Sequence, residues 1–525
     1  MSFPAEPARP LSESILWKLQ RNYFDRYGVR AWSEGVVPQN VTSNPWIADA
    51  YAQIVFGWIR DGSREGLDPR EPLYVLELGC GSGRFGWLFI NRLRSLLSRS
   101  PLRGQRVTHV YTDFTEYNLD VLRSHPSLQP LVDAGAVDFA RFDLETDHEL
   151  ELTHSGELLT AGRVVNPLAV IANYVFDGVR QDAFRVIGGV LHENLVRIEV
   201  PAAEVDVDDP ELLKQVTLAY EPRRTAAAER YADPLWNRIL EEYARGADDR
   251  TFLFPTAALT FLDTLRRLSS GRALLLSADK GYRDEESMTT GDPYMAVHGS
   301  FSLMVSYHAI ERWATSEGGT FLSATRRSST LPIVACLFGG SNADWSETRL
   351  AFDAAIERRG PDDFFAVKRA VEAGGFEHFT LQQLIAILRL SGWDSTLFLR
   401  SFPDLLAKVP DATTRESDDL RAAARNIHET YFPLREALDV AFHLGLLMEA
   451  LGAPEDAILF FEESMRRYGP GADVLLHLAV CHIGCGAVAP ARAYVAEALA
   501  LEPENETVRR LSEDLEGDSG PPPQS

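Results

Sequence analysis

The sequence predicts an α/β protein in which a doubly wound parallel sheet with a helical insertion precedes a separate all-α domain. Three observations carry this. An apolar run, Tyr74-Val-Leu-Glu-Leu-Gly-Cys-Gly-Ser-Gly83, enters a turn with glycines at alternate positions and continues into an amphipathic helix from Arg84 to Leu97. Further apolar runs ending in a polar residue follow at Val107–Asp113, Val137–Asp143 and Leu168–Asn173. Near the C-terminus the sequence matches itself with a 34-residue period.

Residues 1–70 read as an N-terminal helical segment. In the first strand Val75, Leu76 and Leu78 are the buried set, and Gly79, Gly81 and Gly83 remove side chains where the chain bends and a ligand must approach. Gly81-Ser-Gly83-Arg-Phe-Gly86 also fits the G-x-G-x-x-G pattern, so the glycines alone do not choose between nucleotide cofactors. Glu77 does discriminate, because an acid beside the turn suits a cationic ligand better than a pyrophosphate. Asp113 ends the second strand and reads equally well as the N-cap of a helix from Phe114 to Leu122. Asp143 ends the third strand. Asn173 ends the fourth, with Asp177 just behind it at the sheet edge where ligands collect; Asp177 also reads as a helix cap. Helical patterning around Leu235–Tyr243 and Ala257–Leu268 suggests a helical insertion over 200–270.

The run around Glu77-Leu-Gly-Cys-Gly-Ser-Gly83 resembles the first motif of class I S-adenosylmethionine-dependent methyltransferases. The resemblance implies a Rossmann-like methyltransferase sheet over 71–340. It also implies that Gly79, Gly81 and Gly83 pass under S-adenosyl-L-methionine, with Glu77 toward its ammonium end, Asp113 toward the ribose and Asp143 toward the adenine amine. Asn173-Tyr-Val-Phe-Asp177-Gly-Val-Arg-Gln181 resembles the signature of the MidA-like methyltransferases, the group of the mitochondrial complex I assembly methyltransferase. Two departures mark a distant relative: Tyr174 stands in place of Glu, and Cys80 in place of Pro. Gly35 to Tyr51 resembles the segment that covers the cofactor, Ala273 to Tyr282 a later strand, and His298 to His308, more faintly, a substrate-side motif. On this resemblance Asn173 touches the cofactor, and Asn173 and Asp177 are the catalytic candidates. His298 and His308 read first as hydrogen-bonded structural histidines.

The chain has 525 residues, which calls for two or three domains, and its formal charge of −24 disfavours nucleic acid as the main partner. The pairs Arg223-Arg224 and Arg326-Arg327 are too short to reverse that. Four scattered cysteines give no disulfide framework and fit a reducing compartment. His477, Cys481 and Cys485 share a helical stripe but lack a fourth ligand, so burial is expected rather than a metal. Met1–Pro10 is not a secretory signal and no run is long enough to span a bilayer, so the expected location is cytoplasmic.

Leu444 pairs with Leu478 across the period, Gly445 with Ala479, Ala457 with Ala491, Phe461 with Val495, Ser464 with Ala498 and Gly469 with Pro503. These resemble the packing positions of tetratricopeptide repeats, placing such repeats at 431–515. Phe379–Leu390 and Ser395–Leu406 should cap the stack within a helical region over 341–430, with Pro403 kinking or ending the second helix. Gly339-Gly340-Ser-Asn-Ala marks a break, Pro410–Asp419 a polar joint, and 516–525 a disordered tail. The function expected is methyl transfer to a protein or peptide recruited by the repeats. A small-molecule methyltransferase using the repeats to form a homo-oligomer, and a scaffold without turnover, are the alternatives.

Overall fold

The computed structural model describes residues 3–33, 41–202, 204–245, 249–326, 331–340, 344–434 and 438–517. The chain forms two units, divided at Phe365–Ala366 and so beyond the Gly339-Gly340 break read from the sequence. Residues 341–343 of that break lie outside the described residues.

Seven strands form the main sheet of the first unit: β1 Leu73–Leu78, β2 Val107–Asp113, β3 Val137–Arg141, β4 Leu168–Asn173, β5 Ala273–Ala278, β6 Thr320–Ser323 and β7 Ile333–Phe338. Their order is β3-β2-β1-β4-β5-β7-β6. The first five are parallel, with Val75 opposite His109 on one side and Ala169 on the other. β7 runs antiparallel to both β5 and β6. An all-parallel dinucleotide sheet runs 3-2-1-4-5-6, so here an antiparallel strand is wedged between the fifth and sixth. The central strands are covered on both faces, which is why they appear in sequence as unbroken apolar runs.

Four helices position the site: α1 Leu16–Tyr27, α2 Pro45–Glu65, α3 Arg84–Ser98 and α4 Glu116–Arg123. Asn44 caps α2 by accepting from the Ile47 N–H at 3.1 Å, and Pro45 fills the first helical position, where no N–H is missed. α3 lies close on the sheet because Gly86 has no side chain: a Cβ there would come within 2.2 Å of Glu77 Oε2. α4 starts at Glu116 with Thr115 as its cap, two residues later than expected, because Asp113 folds back in a turn onto Thr115.

Two expectations fail around this sheet. Residues 200–270 are not a purely helical insertion. Their helices, Pro234–Arg245 and Thr256–Leu268, accompany strands Thr217–Arg224 and Arg250–Phe254, which join Asp182–Ile187 and Val190–Val200 in a second, antiparallel sheet. Nor is the N-terminal segment all helix, since Phe3–Arg9 adds a strand to that sheet by pairing with Val196 to Val200. Thr217–Arg224 is a largely exposed edge strand, so it lacks the apolar run that would mark it.

The second unit is helical. Pro361–Gly374 runs across the division into this unit, and Leu381–Leu390 and Ser395–Lys408 follow, the former opened by a capping box of Thr380 and Gln383. Pro403 does not end the second helix; Leu397, Phe398, Phe402 and Leu405 bury that face, and packing outweighs the lost hydrogen bond. The polar joint is largely helix, because Thr413 and Glu416 form a capping box that starts Thr414–Glu429. Val440–Ala450, Pro454–Tyr468, Ala472–Gly484 and Val488–Leu501 follow, and the paired positions Leu444 and Leu478, Ala457 and Ala491, Phe461 and Val495 are all buried. Gly445 lets the Phe461 ring approach to 2.5 Å of where a Cβ would stand. Glu506–Gly517 is a final helix anchored by Val508 and Leu515, and it takes in Glu516 and Gly517 of the expected tail; 518–525 lie outside the described residues. Cys485 is exposed, against the expectation of burial, whereas Cys481 is buried. No helix among the described residues is long and apolar enough to cross a membrane.

Candidate functional site

The turn after β1 holds Gly79, Gly81 and Gly83 at φ 57°, 52° and 72°, a region that L side chains rarely adopt. The three are bare for different reasons. A Cβ on Gly83 would stand 2.5 Å from Leu122 Cδ2 of α4, so this glycine serves packing. A Cβ on Gly81 would stand 3.1 Å from the Trp32 indole, which stacks on Phe24 with centroids 5.5 Å apart. Gly79 is the roomiest, with Val175 at 3.4 Å. The Cys80 N–H donates to the Thr112 carbonyl at 2.9 Å and ties the turn to β2, while burial pushes the Cys80 thiol well up.

Each of the three expected cofactor acids is engaged by the chain itself. Glu77 is buried with Oε2 2.8 Å from His109 Nε2; burial raises its pKa, and the histidine opposes that. Asp113 accepts from the Thr115 N–H and hydroxyl, both at 2.9 Å, from Asn118 Nδ2 at 3.1 Å, and from the Gly81 N–H. These four donors match the lone-pair capacity of a carboxylate. Burial raises its pKa all the same. Asp143, two residues past β3, takes both prongs of Arg21, at 2.6 and 3.0 Å. Burial is the largest single influence on its pKa and acts upward, but the hydrogen bond and charge of Arg21 together hold the group below its ordinary value. Arg21 also pairs with Glu145 at 2.9 Å and lies 5.1 Å over the Phe114 ring.

The carboxyl ends of β4 and β5 form a second polar group. Asn173 Oδ1 accepts from the Tyr51 hydroxyl at 2.8 Å, while its Nδ2 is buried without a partner. Tyr174 follows at φ 53°, a conformation costing on the order of 1–3 kcal/mol outside glycine. Asp177 lies inside the short turn Phe176–Gly178 and its side chain caps no helix, which corrects the capping alternative. Asp279, directly after β5, is fully buried. Its Oδ2 accepts from the Phe176 N–H and the Tyr307 hydroxyl, both at 3.3 Å, and its Oδ1 has no partner. Burial pushes Asp177 up to about 7, with Lys280 and a hydrogen bond to Asp279 pulling back. Burial and then the Asp177 charge push Asp279 well up, so near neutrality the pair holds a proton between them.

Asp279, Tyr51, Tyr307 and Arg21 are the members that sequence reasoning did not assign. Asp279 was findable by the rule that selected Asp113 and Asp143, an acid just beyond an apolar strand. The tyrosines and Arg21 carry no such signal. Of the segment expected to cover a cofactor, 35–40 lie outside the described residues. His298 and His308 are partly buried, with pKa values lowered by burial; His308 Nδ1 lies 2.8 Å from the Tyr243 hydroxyl. Arg223 pairs with Glu193 at 2.5 Å and Arg326 with Asp363, while Arg327 lies outside the described residues. His477 bonds Glu449 at 2.7 Å, and no cluster of three or more metal-ligating side chains occurs among the described residues.

No protein-family model and no curated protein matches the chain. Solved structures do. A COG1565 superfamily protein from Burkholderia thailandensis is 14% identical with a TM-score of 0.40, covering 65% of this chain and 90% of its own. A COG1565 superfamily member from the same organism, bound to S-adenosyl-homocysteine, is 13% identical with a TM-score of 0.41 at the same coverage. A CurJ carbon methyltransferase is 9% identical with a TM-score of 0.25, covering 55% of this chain and 54% of its own. At these values the likeness does not place the chain in a family.

Proposed function

We propose that the protein is an S-adenosyl-L-methionine-dependent methyltransferase, a distant MidA-like member of class I, acting on a protein or peptide acceptor. The observation that carries this reading is the turn Gly79–Gly83 at the carboxyl edge of the sheet, whose three alternate glycines all adopt positive φ, next to a strand ending in Asn173 with an unmet amide donor. The exposed backbone at Gly79 suits a ligand that lies against the start of the turn, with Trp32 as a wall beside Gly81. When bound, the cofactor would supply a methyl group on a sulfonium, a leaving group that needs no protonation.

The chain's own work is then to orient and desolvate the acceptor. Tyr51 fixes the Asn173 amide so that Nδ2 points away from their hydrogen bond, free to meet an acceptor oxygen. Asp177, with a pKa near neutrality, is partly ionised at pH 7 and suited to take a proton from an acceptor nitrogen or hydroxyl. Tyr307 and the Phe176 N–H hold Asp279 in place behind it. The C-terminal helical pairs, read as tetratricopeptide-like, would recruit the acceptor in the cytoplasm.

Calorimetry with S-adenosylhomocysteine tests the cofactor: micromolar binding is expected, and a folded protein that binds none removes the assignment. Labelled cofactor in a lysate tests the acceptor, since label confined to small molecules excludes a protein substrate. One observation favours the scaffold alternative. Glu77, Asp113 and Asp143 are already satisfied within the chain, so binding in the calorimeter together with transfer of label supports the enzyme, and the absence of any transfer supports the scaffold.

A further inference from the structure

At the opposite, amino-terminal edge of the main sheet lies a cleft of about 1160 Å³. It is bounded by the starts of β2 and β3, the last turns of α3 and the loops at 134–136 and 154–165. Ligands of such sheets collect at the carboxyl edge. A strand of six residues separates the two edges by roughly 20 Å, so this cleft is no part of the site above.

Its lining is basic. Arg94, Arg99, Arg103, Arg106 and Arg163 all face it and all are exposed. The chain carries a charge of −24, yet from Leu78 to Thr112 it has no acidic residue and six arginines. Elsewhere in the unit arginines commonly meet carboxylates, as do Arg21, Arg92, Arg123 and Arg230. The side chains of Arg94, Arg99, Arg103 and Arg163, by contrast, have no hydrogen-bond or ion-pair partner among the described residues. The Arg106 side chain donates, among the described residues, only to the Arg70 carbonyl. Complementing the negative end of the α3 dipole accounts for Arg94 and Arg99. It does not account for Arg103, Arg106 or Arg163, which lie outside any helix.

We propose that this cleft binds a compact ligand bearing several phosphate groups. Guanidinium forks bind phosphate oxygens in pairs, and several forks around one cavity suit several anionic groups close together. Compactness follows from the acids. Glu71, Glu157 and the buried Asp138 also line the cleft, and the whole molecule repels anions at long range. A long polyanion would cross both fields, whereas a small one concentrates its charge at the arginines. The volume lies just above the ordinary range for small-molecule sites, about 300–1,000 Å³.

The test is isothermal titration of the full chain with inorganic triphosphate, with ATP and with a hexaglutamate peptide, at low and at physiological salt. Triphosphate should bind, more weakly at higher salt, and the triple variant Arg99→Ala/Arg103→Ala/Arg163→Ala should lose at least about tenfold in affinity. ATP binding tighter than triphosphate would identify a nucleotide ligand; equal affinity would identify the phosphate chain alone. No triphosphate binding, or binding indifferent to the triple variant, overturns the proposal, and binding of hexaglutamate alone replaces it with an acidic peptide. Competition by S-adenosylhomocysteine would overturn the claim of a separate site. Circular dichroism checks the fold of the triple variant, and should it unfold, the single variant Arg103→Gln must still weaken triphosphate.

Discussion

Replacing Asp177 by asparagine should change how the stability of the first unit depends on pH. The carboxyl group moves from an ordinary 3.8 to about 7 in the folded chain, mainly through burial. Between those values the folded state keeps a proton that the unfolded state has released, so this group's contribution is most favourable near pH 4 and declines as pH rises to about 7. Roughly 3 pKa units at about 1.4 kcal/mol each give a ceiling of about 4 kcal/mol for the loss. Sharing of the proton with Asp279 makes the realised value smaller. The asparagine side chain carries no charge at any pH and should remove that part of the slope. Urea unfolding of both proteins from pH 4 to pH 8 reads it as a difference, in which other titrating groups such as His298 and His308 cancel. The variant should gain on the parent by about 1–4 kcal/mol across the range. Parallel curves would refute a buried, proton-sharing Asp177, and with it the proposed proton acceptor.

Gly81→Val should abolish S-adenosylhomocysteine binding and lower stability by about 1–2 kcal/mol, because a β-branched residue is forced to positive φ against Trp32; the second unit should keep its melting behaviour. Tyr51→Phe leaves Asn173 Oδ1 without its donor and should cost about 1–2 kcal/mol in urea unfolding, with a fall in any transferase rate larger than the fall in cofactor affinity. Arg21→Ala strips Asp143 of both its charge-assisted bonds, and a loss of about 2–3 kcal/mol is expected by the same assay. Gly445→Val drives a side chain into the Phe461 ring and should destabilise the second unit by about 1–3 kcal/mol while leaving cofactor binding intact.

The main sheet was legible because its strands are covered on both faces and therefore spell continuous apolar runs, as in Leu168–Asn173 and Ala273–Ala278. The second sheet was not. Val190–Val200 interleaves His192, Glu193, Asn194, Arg197 and Glu199 with its apolar residues, and Phe3–Arg9 contains two prolines, so neither gives a clean alternation. Within the site, Asn173 and Asp177 were visible from their place after a strand. The partners that give them chemistry were not, because Tyr51 reaches Asn173 from α2, and Asp279 meets Asp177 only once β5 has paired beside β4. Strand ends are local in sequence, whereas a shared proton is a property of the assembled sheet. The helical unit was mostly readable from its period, and its errors had local causes. The Thr413–Glu416 box was present in the sequence, and Pro403 was overruled by the four large apolar residues around it.

The strand Phe3–Arg9 has a consequence for synthesis. Its pairing partner, Val196–Val200, leaves the ribosome only after about 190 further residues, which at 5–20 residues per second is a wait of roughly 10–40 s. Throughout that time the strand has exposed backbone hydrogen-bonding groups and no mate, so chaperone capture or cleavage there should be most frequent on chains stalled before Val196–Val200 has emerged and should subside on longer ones.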